Sequence, residues 1–247
     1  MNKGPNLNAA DSYEGDEIEQ LLEGASTLAQ SMTIDLFGQE RSLKNFALLV
    51  SNAFEMAELI NREIVRLVKP SKDLACGAGC SHCCSKIKVV TQPMFALYAL
   101  FYARGQSSSR VHAHVLRKLK AKETDCQFLR AGECSIYLGR PLVCRLFHSF
   151  DYNECLNFNF ERTVRTETMG EVAVFAGVTQ ALKDMSIDCE DIFLSEALGL
   201  LTTTSGVFEK WAAGSDVFAP CRLNKEQLAE NDFSATKVTL RTSEHLF

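Results

Sequence analysis

A chain of 247 residues with a formal net charge of −5 and 46% hydrophobic residues has an ordinary globular composition and the length of one large or two small domains. No apolar run approaches the roughly 20 residues that span a bilayer, which argues against a membrane protein. The start, Met1-Asn2-Lys3-Gly4-Pro5-Asn6, shows no apolar run or small-residue cleavage site, so no secretory signal is read there and a cytoplasmic protein is expected.

Residues 1–40 carry eight acids against one base, Lys3, and 1–16 are expected to form a disordered acidic N-terminus. Residues 17–36 place Ile18, Leu21, Leu22, Ala25 and Leu28 at helical spacing. The clearest helix is 41–69, where Leu43, Phe46, Val50, Ala53, Ala57, Ile60, Ile64 and Leu67 recur at steps of three and four. Ser42 is its N-cap and Lys69-Pro70 its stop. The stripe reads as core-facing rather than as a coiled-coil seam.

A first cysteine loop follows, then a short extended piece (Ile87, Val89, Val90). Thr91-Gln92-Pro93 opens the next helix, with proline in its first turn. Residues 94–103 are apolar nearly all round, hence buried, and Gly105 ends them. Serines 107–109 lead into a basic helix over 110–122. Between 104 and 130 seven bases face two acids. They read as a solvated face, and without stacking aromatics or a binding motif no nucleic-acid partner is expected. Residues 126–159 are loop-like. Helical patterning returns in three segments: Val172 to Leu182, Ile192 to Leu201, and Val207 to Trp211. The fold class is mostly α: a single helical domain over 17–221 with cysteine-rich metal-binding loops between helices, a cysteine core at 74–156, and a polar tail at 222–247.

Cys76, Cys80, Cys83 and Cys84 crowd into nine residues, and Cys126, Cys134 and Cys144 follow. Packing does not call for thiols clustered beside glycine. A soft metal does, because thiolates bind zinc, copper(I) and iron–sulfur clusters. Disulfides would require export, and the adjacent pair Cys83–Cys84 suits a disulfide scaffold poorly. Gly77 and Gly79 allow backbone amides to turn tightly toward sulfur. His82 reads as a supporting donor, and His112 and His114 fall on different helix faces. Cys83 and Cys84 diverge from one backbone, so both on a single ion is strained. An iron–sulfur cluster is therefore preferred over zinc, with Phe128, Leu129, Ile136, Leu142, Val143, Leu146 and Phe147 as its apolar shield.

Two blocks together carry a resemblance. One is Cys76-x3-Cys80-x2-Cys83-Cys84. The other runs Cys126-Gln127-Phe128-Leu129, Gly132-Glu133-Cys134-Ser135-Ile136-Tyr137 and Arg140-Pro141-Leu142-Val143-Cys144-Arg145. Over about residues 74–156 the chain resembles the zinc- or iron-chelating cysteine-cluster family that also contains the flagellin lysine N-methylases. The resemblance implies a metal-chelating or iron–sulfur domain with Cys76, Cys80, Cys83, Cys84, Cys126, Cys134 and Cys144 as ligands. Ser149 to Cys155 resembles a further segment of similar sequences and adds Cys155 as an eighth. Cys189 and Cys221 lie outside the motif and are expected to be buried thiols.

Two function classes stand. The first is a metal-binding module, structural, redox or metal-handling, whose partner is the metal ion or cluster, with a protein partner left open. The alternative is an S-adenosylmethionine-dependent protein lysine N-methyltransferase of the flagellin methylase type. No Gly-rich strand–turn–helix fingerprint supports a nucleoside site, no catalytic residue is assignable, and enzyme status stays open. Arg140 and Arg145 are the candidate cofactor-binding cations, beside thiolates or gripping an anion. The competing role for Arg140 is to satisfy loop carbonyls.

Overall fold

The computed structural model describes residues 8–68, 79–105, 109–146, 153 and 168–224. Helix α1 (Asn8–Thr33) continues into a π-helical turn, Ile34–Gly38, that buries Phe37. The helix expected at 17–36 thus starts at Asn8. Ser42 ends the following connection in an extended conformation, and its hydroxyl accepts the Asn45 N–H at 3.3 Å. That satisfies one orphan amide of α2 (Leu43–Leu67). The inward face of α2 carries Phe46, Leu49, Val50, Ala53, Ala57 and Ile64, all buried, which matches the stripe read from sequence.

After the short helix α3 (His82–Lys86), strand β1 (Val90–Thr91) leads into α4 (Pro93–Gly105). Every residue of α4 from Pro93 to Leu100 is buried, so this helix runs through the core. Helix α5 (Ser109–Ala121) returns beside it. Residues 126–146, expected to be loop, hold a two-stranded hairpin, β2 (Leu129–Arg130) with β3 (Glu133–Cys134), a 3₁₀ turn at Tyr137–Gly139 and the short helix α6 (Leu142–Leu146). The hairpin turn is Ala131-Gly132, with φ of 50° and 83°. Two left-handed residues are what a type I′ connection needs.

Helix α7 (Met169–Asp184) packs against α1 and α2. Strand β4 (Ile192–Phe193) pairs antiparallel with β1, Val90 opposite Phe193 and Thr91 opposite Ile192. Those two residues were expected to begin a helix. Instead α8 starts at Leu194 and runs to Thr203, and α9 covers Val207–Ala212. Arg222, at the start of the tail read from sequence, is anchored: its guanidinium meets Asp188 at 3.1 Å and Asp216 at 2.7 Å.

Two aromatic groups fill the core. Phe37, Phe46, Phe208 and Trp211 join the π-helical turn, α2 and α9 with ring centroids 5.5–6.4 Å apart. The indole N–H of Trp211 donates to the Asp188 carbonyl at 2.8 Å, so its polar edge is satisfied. Phe54, Phe95 and Phe175 join α2, α4 and α7, with Phe54 4.6 Å and Phe95 5.0 Å from Phe175. Among the described residues no helix is long and apolar enough to cross a membrane.

Helices α5, α7 and α9 end alike. In α5 the Glu123 amide donates to the Lys118 carbonyl and the Lys122 amide to Leu119, both at 3.2 Å, with Lys122 left-handed at φ 53°. The same pair of bonds closes α7 around Ser186 and α9 around Gly214.

The α1–α7 approach is set by Gly177. A Cβ there would collide with the Ser26 carbonyl and stand 3.1 Å from the Ala29 Cβ. Backbone cannot yield as a flexible side chain does, so Gly177→Ala is expected to destabilise the protein by about 1–3 kcal/mol. Urea unfolding followed by helical circular dichroism checks this.

Candidate metal centre

The cysteine segments meet through their backbones first. The Cys126 amide donates to the Cys84 carbonyl at 2.7 Å, which brings the loop after α5 against the middle of α3. The hairpin then carries Cys134 back toward the same place, opposite Leu129. The Ser135 amide (2.9 Å) and hydroxyl (2.8 Å) both donate to the Phe128 carbonyl and extend the pairing. Phe128 and Ile136, both buried, anchor the hairpin to the core. Cys144 arrives on α6, whose first turn is closed by its amide on the Pro141 carbonyl at 3.0 Å.

Five thiols gather there. The Cys83 thiol is close enough to Cys84 for each to shift the other, and the Cys84 thiol is likewise close to Cys126. Cys83 is pushed up by the Cys84 thiol and then by burial. Cys84 rises to about 12 through the Cys126 thiol, partly offset by the Cys83 thiol. Burial raises Cys134, while an N–H bond from the Ile136 backbone and the Arg140 charge oppose the rise. Burial raises Cys144 too, reinforced by the fields of Cys84, Cys83 and Cys134. Without a cation, ionised sulfurs this close repel one another, and Cys83, Cys84, Cys134 and Cys144 hold their protons. A bound soft metal supplies the positive charge that reverses that preference and displaces the protons.

Two arginines flank the thiols and differ in role. The Arg140 guanidinium sits 4.0 Å from the Tyr137 ring centroid, and its charge lowers both Cys134 and Cys144. Its Nε is buried and has no hydrogen-bond partner among the described residues. Arg145 instead lies 3.9 Å over the Phe54 ring and donates to the Arg140 carbonyl at 3.4 Å and to the Leu138 carbonyl. Supporting loop carbonyls, the role weighed for Arg140, is thus performed by Arg145. Gly139, just before Arg140, lies hard against Tyr102, where a Cβ would strike the ring.

Of the expected ligands, Cys76 and Cys155 lie outside the described residues. Cys80 is half-buried just after Gly79, whose φ of 83° makes the tight turn read from sequence. Cys83, Cys84, Cys126, Cys134 and Cys144 are brought together, and all described cysteines are free thiols. Among the described residues, no three His, Cys, Asp or Glu side chains form a ready-made coordination shell. The donor set itself fits a soft metal, since every group in it is sulfur.

Lys118 is the residue that sequence reading missed. Counted with the solvated bases, it is 2% exposed. Its position was legible: Val111, Val115 and Lys118 follow one another at steps of four and three on the buried stripe of α5. His112 and His114 do separate, His112 facing Arg104 at 3.3 Å and His114 the Leu129 carbonyl at 2.9 Å.

Five thiols are thus held between short helices and a hairpin. Residues 75–173 match the family model CxxCxxCC, described as "Putative zinc- or iron-chelating domain". No curated protein and no solved structure matches the chain.

Cys189 and Cys221 stand apart and are buried, at 6% and 3% exposure. The Cys189 thiol donates to the Ile187 carbonyl at 3.5 Å, and burial pushes it from 9.0 to about 12. A thiol raised in the folded state holds its proton after the unfolded chain has lost it. Its contribution is therefore complete below pH 9 and declines as pH rises from there toward 12, by up to about 1.4 kcal/mol per unit. The stability advantage of the wild type over Cys189→Ala is expected to narrow between pH 8 and pH 10.5 in parallel urea titrations.

Proposed function

We propose that this protein is a cytoplasmic metal-binding module that holds an iron–sulfur cluster between α3 and the 126–146 segment. The observation that carries the reading is the convergence of Cys83, Cys84, Cys126, Cys134 and Cys144, joined by the Cys126 amide on the Cys84 carbonyl at 2.7 Å and close enough for neighbouring thiols to perturb one another. Cys83 and Cys84 are successive residues of a helix, so their side chains leave the axis about 100° apart. Two such directions serve two metal atoms better than one. The ligand set is Cys76, Cys80, Cys83, Cys84, Cys126, Cys134, Cys144 and Cys155.

Burial of Phe128 and Ile136 beside the thiols supports a shielded pocket of the kind that favours a cluster over an exposed ion. The Ile136 amide on Cys134 and the Arg140 charge stabilise negative sulfur. Free thiols throughout the described residues are compatible with a reducing compartment. When bound, a cluster supplies one-electron chemistry or a structural clamp, and the chain supplies the sulfur ligands and their polarity.

Anaerobic purification, elemental analysis and a visible spectrum test this. Brown protein with iron and acid-labile sulfide is the expected result. Colourless protein with stoichiometric zinc replaces the cluster by a zinc site, and folded protein with neither metal overturns the reading. Cys83→Ser and Cys134→Ser are each expected to lose most of the bound metal while Cys189→Ser keeps it. Equal loading in all three contradicts the ligand assignment.

A further inference from the structure

Lys118 is a charged side chain taken almost wholly out of water, which is costly unless every proton finds an acceptor. Three acceptors surround the ammonium: Asp125 Oδ2 at 2.7 Å, the Cys126 carbonyl at 2.9 Å and Glu123 Oε2 at 3.5 Å. All three come from the short loop that follows α5. The loop is wrapped on an internal cation, and its last wrapped residue is a candidate ligand. Helix α5 fixes the lysine from the other side, because Val111 and Val115 are packed in the core. The Cys126 amide, on the opposite edge of the peptide frame from its carbonyl, reaches Cys84. Cys126 is therefore held at both of its backbone groups, by the ammonium and by the first cysteine segment.

We propose that Lys118 is a positioning residue for the metal centre. Its ammonium fixes the Cys126 main chain and so aims the Cys126 sulfur at Cys84, without itself touching the metal. The inference rests on the reading that Cys126 is a ligand. Glu123 and Asp125 act with Lys118 by neutralising it and closing the loop. Arg117, at 2.8 Å from Glu123 Oε1, braces the outer carboxylate at the surface.

The test is a double-mutant cycle on the full chain, reduced and handled without oxygen, with zinc(II) affinity measured by competition with a chromophoric chelator. Lys118→Met keeps the length and removes the charge. It is expected to retain the helical circular dichroism and to weaken zinc binding about tenfold, the scale of lost support behind a metal ligand. In a Cys126→Ser background the same change is expected to cost nothing further, which general destabilisation would not mimic. Equal weakening in both backgrounds, or a folded Lys118→Met with wild-type affinity, overturns the proposal. If Lys118→Met does not fold, Asp125→Asn replaces it. A smaller loss that again vanishes beside Cys126→Ser supports the proposal, and no loss overturns it. Cys126→Ser binding zinc like the wild type also overturns it while leaving the metal centre standing. A wild type that takes up neither zinc nor iron removes the underlying reading and this one with it.

Discussion

The Cys126 amide meets the Cys84 carbonyl at 2.7 Å, and that contact is the constraint on which the arrangement of the thiols depends. The first cysteine segment is a single turn of helix with no buried residue of its own. The second is a hairpin whose strands are two residues long. Neither has enough buried surface to hold a position independently, since isolated hairpins and single helical turns are marginal in water. Joined to each other, with Phe128 and Ile136 buried in the core, they acquire a fixed geometry.

The helical frame explains why the centre needs few contacts of its own. Helix α4 is buried on all sides over its first eight residues, and α5 beside it presents an ammonium rather than a leucine at the end of its inward stripe. Arg145 extends the frame by stacking on Phe54, which ties α6 to α2 and to the Phe95–Phe175 group. The polar parts of the site thus stand on aromatic and aliphatic packing.

Much of the frame is legible in the chain. Ser42 before a three-four stripe, Pro93 opening an apolar run and Gly105 ending it are local signals with local causes, and α2, α4 and α5 follow them closely. The cysteine spacing likewise pointed to the segments that converge, and the motif match spans them. What sequence left obscure depends on distant partners. Ile192 and Phe193 continue an apolar run into α8, and only their pairing with Val90 and Thr91 makes them a strand. Ala131 gives no left-handed signal, because the conformation is imposed by the hairpin that Phe128 and Ile136 anchor. Lys118 looks like its neighbours in composition and differs in register alone. Arg140 and Arg145 sit symmetrically about Pro141 and Cys144 in the motif, yet packing on Tyr137 and on Phe54 gives them separate tasks.

The close seating of Gly177 on the first helix has a consequence for the order in which the molecule is built. Helix α1 leaves the ribosome early, but the surface it covers on α7 does not exist until everything between Thr33 and Met169 has been synthesised. Both cysteine blocks are translated inside that interval. During translation the thiols therefore emerge while one wall of the protein is still open, and closure of the first helix on the seventh comes after the sulfur-bearing loops have been made.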